Sequence, residues 1–159
     1  MVSRLIKNMD IIVVSLCVTL LSGFGKIFTQ QGLSWYHTLN TPTIMPPDYV
    51  FGIVWTILYT LSACAVIILI RSYKHTMYWR WIIALFGINA FLSLAWSYLF
   101  FIHRSIDGAL IDCIVMEFNL ITVCMLLWSD ARRIALLLLP NVLWVAFALY
   151  LNYQMLLLN

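Results

Sequence analysis

The chain has 159 residues, 64% hydrophobic and 9% charged, with a formal net charge of +3. Soluble domains carry about 25% charged residues, so this composition excludes a soluble catalytic or binding domain and predicts an integral membrane protein. The small positive excess comes from residues flanking apolar runs, not from a basic surface, which excludes a nucleic-acid partner.

A hydrocarbon core of about 30 Å takes roughly 20 apolar residues per helix. Five such runs lie near 9–30, 49–70, 79–102, 106–128 and 134–157, giving an all-α five-helix membrane bundle as a single domain over 1–159. Only residues 31–48 and three short connectors remain outside the bilayer, so any activity must sit within the bundle.

Span one follows Arg4 and Lys7 and ends near Gly23 and Gly25. It is longer than a signal-peptide core and lacks a small-x-small cleavage site, so it reads as a mature helix. The first loop then enters "TPTIMPPDYVFGIVW". Pro42 breaks the chain, and Pro46–Pro47 fix the backbone where span two begins, since a proline there forfeits no helical N–H bond. Asp48 suits the positive end of that helix. The stiff turn is expected to set the positions of Phe51 and Trp55.

Polar and aromatic residues at helical spacing mark faces that look away from lipid. Span two carries Phe51, Trp55, Tyr59 and Ser62; span three carries Asn89, Ser93, Trp96 and Phe100; span five carries Asn141, Trp144, Ala148 and Asn152. Tyr78, Trp79, Trp81 and Trp128 fit an interfacial aromatic belt. Trp55, Trp96 and Trp144 lie deeper, beside small or amide residues, which suggests a cavity with flat π-faces and a few polar groups; aromatics simply filling a helix–helix core are the alternative. Asn89, Asn141 and Asn152 are expected to hydrogen-bond across helices or to a ligand.

Span four brings Asp112, Glu117 and Asn119 within eight residues. An ionised carboxylate at a helix centre costs about 2.5–3.5 kcal/mol on insertion scales. Asp112, nearer the helix end, is expected to cap or pair locally, for instance with Arg104. Glu117 has no basic partner in the sequence and is expected to be protonated, or turned toward another helix or a second subunit, with ligand contact as an alternative.

Cys17, Cys64, Cys113 and Cys124 form no CxxC or metal-ligand pattern and read as buried small hydrophobes. His37, His75 and His103 all lie outside the span interiors, which argues against an axial haem ligand, and no metal site is expected. No HExxH, GxSxG or phosphate-binding loop is present, so hydrolytic and phosphoryl-transfer machinery is absent.

Seven basic residues, Arg4, Lys7, Arg71, Lys74, Arg80, Arg132 and Arg133, fall on one side, and only Lys26 and Arg104 on the other. The positive-inside rule then places the N-terminus in the cytoplasm, with the first loop and C-terminus outside.

The runs "GLSWYHTLNTPTIMPPDYVFGIVWTILYTL", "NAFLSLAWSYLFF", "GALIDC" and "LLPNVLWVAFALYLNYQ" resemble, in order and spacing, the signatures of the translocator protein family, TspO/MBR, also called peripheral-type benzodiazepine receptors. The resemblance covers essentially the whole chain. It implies a five-helix bundle with a ligand cavity at one end, a first-loop lid built from Trp35, Tyr36, Pro42, Ile44, Pro46 and Pro47, and a homodimer. It implies binding of tetrapyrroles such as protoporphyrin IX and of benzodiazepine or isoquinoline-type drugs, and in animal members cholesterol, with no required cofactor. Trp55 and Trp144 match the two tryptophans implicated in light- and oxygen-dependent porphyrin breakdown in some bacterial members; Asn89, Trp96, Ala148 and Leu151 match positions at or beside the cavity.

Departures from the family pattern are Thr41 for a lysine, Ile44 for a tryptophan, Ser93 for the asparagine of animal members and Gly108 for their tryptophan. After Tyr153 the chain reads "QMLLLN", without the basic residue of the animal cholesterol motif. Three functions follow in order: a tetrapyrrole-binding translocator or sensor, an enzyme-like porphyrin-degrading protein using the tryptophans, and a small-molecule or sterol carrier. A bacterial cell membrane is the expected location, a mitochondrial outer membrane the alternative.

Overall fold

The computed structural model describes residues 8–73 and 78–159. Arg4, Lys7, Lys74 and His75, which entered the charge count and the histidine survey, lie outside the described residues. Five helices long and apolar enough to cross a membrane follow one another: α1 (Met9–Tyr36), α2 (Asp48–Ser72), α3 (Trp79–Ser97, continued by a π-helical turn Tyr98–Ile102), α4 (Ile106–Trp128) and α5 (Arg132–Leu158).

The first helix runs six residues beyond the expected end at residue 30. "QGLSWY" holds no proline, and the helix closes only where Thr38 N–H turns back to the Trp35 carbonyl at 2.9 Å. Trp35 and Tyr36 therefore form the last turn of α1 and are not loop residues as expected; the loop proper is 37–47. Pro47 is the residue just before α2, with extended backbone (φ −55°, ψ 145°), and Asp48 opens the helix.

The end of α3 widens. His103 N–H donates to the Tyr98 carbonyl at 2.9 Å, five residues back, and the turn that results carries Phe100 and Phe101. Arg104 then adopts left-handed backbone (φ 57°), and Ser105 N–H returns to the Leu99 carbonyl at 3.0 Å, ending the helix abruptly. Ser105 also starts α4, accepting from Gly108 N–H at 3.1 Å while its hydroxyl donates to Asp107 at 2.7 Å.

Neighbouring helices make a closed circuit. α1 packs on α2 and on α3 with its π-helical turn, α2 on α5, α5 on α4, and α4 on α3. At the end away from the first loop, Ala65, Leu69, Ile82, Leu127, Ile134 and Leu138 close the bundle with a continuous apolar core. On this side the Arg71 guanidinium grips Asp10 through two hydrogen bonds, tying the start of α1 to the end of α2. α1 buries only Gly32, so it is a peripheral wall held mainly at its first-loop end.

Two expectations about span interiors do not hold. Cys113 and Cys124 are buried, but Cys17 and Cys64 are exposed on the outer faces of α1 and α2, where a thiol meets lipid at little cost. Asp112 is not paired with Arg104; it turns into the bundle at 8% exposure, and the only ion pair among the described residues is Asp10–Arg71.

Candidate functional site

A cavity of about 550 Å³ lies at the first-loop end of the bundle, within the range of small-molecule sites. The long stripe on α2 forms one wall: Phe51, Trp55 and Tyr59 all line it, one turn apart. Ser93, Trp96 and Phe100 of α3 line a second wall, and Ala148, Leu151 and Asn152 of α5 a third.

The aromatic faces are fixed by their neighbours. Trp96 stacks on Phe100 with ring centres 5.1 Å apart and planes 11° off parallel, and Phe101 stands edge-on to both. The π-helical turn makes this possible, because the wider turn brings consecutive phenylalanines to the same cavity. Trp55 leans on Tyr59 at 5.5 Å.

The few polar groups of the wall are mostly engaged with one another. The Tyr59 and Ser93 hydroxyls hydrogen-bond at 2.7 Å across α2 and α3. Trp96 Nε1–H donates to Asn152 Oδ1 at 3.1 Å, and Asn152 Nδ2 donates to the Ile106 carbonyl at 2.9 Å, so one amide joins α3, α4 and α5.

Several expected site residues stand elsewhere. Trp144 does not line the cavity. It sits behind Phe51, edge to face at 5.8 Å, with its buried Nε1 unpartnered. Asn141 is one helix face away, donating to Ser62 at 3.3 Å, and Asn89 is also off the wall with Nδ2 unpartnered. On α4, one buried side-chain oxygen each of Asp112, Glu117 and Asn119 has no hydrogen-bond partner, and none of the three lines the cavity.

Of the expected lid set, only Tyr36 reaches the cavity. Trp35 packs edge-on against Phe100 at 5.5 Å, Pro42 is buried, and Ile44 points outward at 51% exposure. Pro46 and Pro47 shape the entry to α2 without lining the site. Met45 does line it, held by a turn in which its N–H donates to the Pro42 carbonyl at 2.9 Å. The loop is anchored to α5 by an amide clasp: Asn40 N–H donates to Asn159 Oδ1 at 2.9 Å, and Asn159 Nδ2 returns to the Asn40 carbonyl at 3.0 Å.

Sequence reasoning missed the α1 wall. Ser22, Lys26, Thr29, Gln30 and Leu33 all line the cavity. Their i, i+4, i+7 spacing is the signal that could have found them, but in the sequence Lys26 has the same appearance as a charge flanking a span. Cys113 and Met116 of α4 complete the floor. Among the described residues, no three His, Cys, Asp or Glu side chains gather to hold a metal ion.

Residues 13–158 match the TspO/MBR family. The chain is similar to Tryptophan-rich protein TspO of Chlorobaculum tepidum, 33% identical over 156 residues that cover 96% of this chain and 99% of the relative. It is also similar to Tryptophan-rich protein TspO of Archaeoglobus fulgidus, 32% identical over 93% of this chain and 96% of the relative. Translocator protein of Bos taurus is 29% identical over 85% of this chain and 82% of the relative.

Proposed function

The chain belongs to the TspO/MBR family of membrane proteins, and from that premise we propose that it binds a flat tetrapyrrole of the protoporphyrin IX type, as a sensor or translocator. The observation that carries this reading is the aromatic cavity of about 550 Å³, with Trp55 on one wall and the stacked Trp96–Phe100 pair on another. Indole and phenyl faces suit a planar conjugated ligand, and apolar burial would supply most of the affinity. Drug-like aromatic amides of the benzodiazepine or isoquinoline type fit the same chemistry. The proposed location is a bacterial cell membrane, with the loop end of the bundle outside.

A second reading, light- and oxygen-dependent degradation of the bound porphyrin, is favoured by the Trp55 indole at the cavity wall. It assigns electron donation to Trp55 ahead of Trp144, because the Phe51 ring stands before Trp144.

One titration tests both. Protoporphyrin IX is added in the dark to the purified chain and tryptophan quenching is followed; the sample is then illuminated in air, with Trp55→Phe and Trp144→Phe alongside. Saturable quenching without bleaching supports binding alone. Bleaching that slows in Trp55→Phe supports degradation, bleaching indifferent to both substitutions overturns the tryptophan mechanism, and absence of quenching overturns the tetrapyrrole reading.

A further inference from the structure

Among the described residues two charged side chains line the cavity, Lys26 and Asp48, and they are not equivalent. Asp48 is the first residue of α2, where the exposed backbone N–H groups of the helix start offset its negative charge. Lys26 lies in the interior of α1, ten residues and so about 15 Å before the helix ends at Tyr36, where no helix terminus offsets its charge. Among the described residues its ammonium has neither an ion-pair nor a hydrogen-bond partner. A cation inside a membrane span is costly unless it faces a cavity or a counter-charge; Lys26, an exposed residue of α1, borders the cavity and has no counter-charge among the described residues.

The neighbours of Lys26 on the same wall sharpen the chemistry. One turn on, the Gln30 amide also lines the cavity, with no hydrogen-bond partner among the described residues, while the Thr29 hydroxyl is spent on the Gly25 carbonyl at 2.9 Å. α1 thus offers an ammonium and an amide N–H as donors, opposite walls rich in aromatic rings whose Tyr59, Ser93 and Asn152 polar groups are engaged in bonds of their own. We propose that Lys26, assisted by Gln30, is a specificity-determining residue that takes the carboxylate of a planar apolar ligand, so that the site selects acids over their neutral esters. This inference rests on the tetrapyrrole reading for its first probe but not for its logic, which requires only an aromatic carboxylate.

The test uses the full chain in detergent and compares protoporphyrin IX with its dimethyl ester by tryptophan quenching, in the parent protein, Lys26→Met and Lys26→Arg. Taking the acid-to-ester affinity ratio within each protein cancels differences in detergent partitioning, and retained ester binding shows that the variants are folded. A charge-assisted contact predicts that the ratio falls about tenfold in Lys26→Met and stays within about twofold in Lys26→Arg. A ratio unchanged by Lys26→Met overturns the proposal. A second pair, pyrene-1-butyrate and its methyl ester, separates the two claims. If neither porphyrin binds but the pyrene ratio falls in Lys26→Met, the tetrapyrrole reading fails and the lysine assignment stands. If the pyrene ratio is also indifferent, or the pyrene pair does not bind either, the lysine assignment fails.

Discussion

Asn152 illustrates how much one amide can hold. Its oxygen accepts from the Trp96 indole and its nitrogen donates to the Ile106 carbonyl, with the residue itself buried at the cavity wall. Asn152→Leu leaves the part-buried Trp96 indole N–H without its acceptor and removes the link to the Ile106 carbonyl, which costs about 1–3 kcal/mol. The expected result is a lower melting temperature together with weaker ligand binding, because Trp96 loses the bond that orients it. Arg104 makes the opposite case. Its left-handed backbone is strained for any residue with a Cβ, so Arg104→Gly is expected to stabilise the chain by about 1 kcal/mol in a reversible unfolding assay. At this scale the sequence was partly legible. The amides were recognisable as buried polar groups needing partners, but which partner each found depended on helix rotation: Asn141 found Ser62, and Asn89 Nδ2 found none.

Among the elements, α1 is the least expected. It contributes only Gly32 to the buried core, yet supplies the polar wall of the cavity. Its attachment depends on close approach. A Cβ at Gly32 would lie 2.6 Å from Phe101 Cβ and nearer still to the Phe101 carbonyl, so α1 could not keep its place against the π-helical turn. Gly32→Ala is therefore expected to destabilise by about 1–3 kcal/mol and, unlike a remote core substitution, to lower ligand affinity by moving the α1 wall. Both effects are measurable on one preparation, by thermal denaturation and quenching. The stripes on α2 and α3 were legible because aromatic and hydroxyl residues stand out against an apolar background. The α1 stripe was not, because a lysine near the drawn end of a span has the same appearance as a topology signal. The π-helical turn was also invisible, since "YLFFI" has no breaker and the widening comes from packing the two phenylalanines against Trp35 and Trp96.

For the whole molecule, the circuit of helices leaves one end filled and the other hollow. The filled end is aliphatic, from Ala65 to Leu138, and the hollow end is aromatic, where rigid rings cannot collapse to fill the space. The loop that covers the hollow end is held at Asn40 by Asn159, so Asn159→Ala is expected to speed amide hydrogen exchange across 38–47 and to raise ligand dissociation rates, with little change in helix content by circular dichroism. Equal exchange in parent and variant would show that the packing of Leu39 and Met45 against Phe100 and Met155 holds the loop without the clasp.

Composition by itself determined a membrane protein with five spans, because the free energy of placing a segment in lipid is nearly a sum over its own residues. The stiff entry to α2 was equally local, set by Pro46 and Pro47. The tertiary structure decided which ring faces the cavity. Trp55 and Trp144 look alike along their helices, but Phe51 from a neighbouring helix stands in front of one and not the other. It also decided that Lys26 faces the cavity, since the side of a long helix that meets its neighbours is fixed by contacts distant in sequence, at Gly32 with Phe101 and at Asp10 with Arg71.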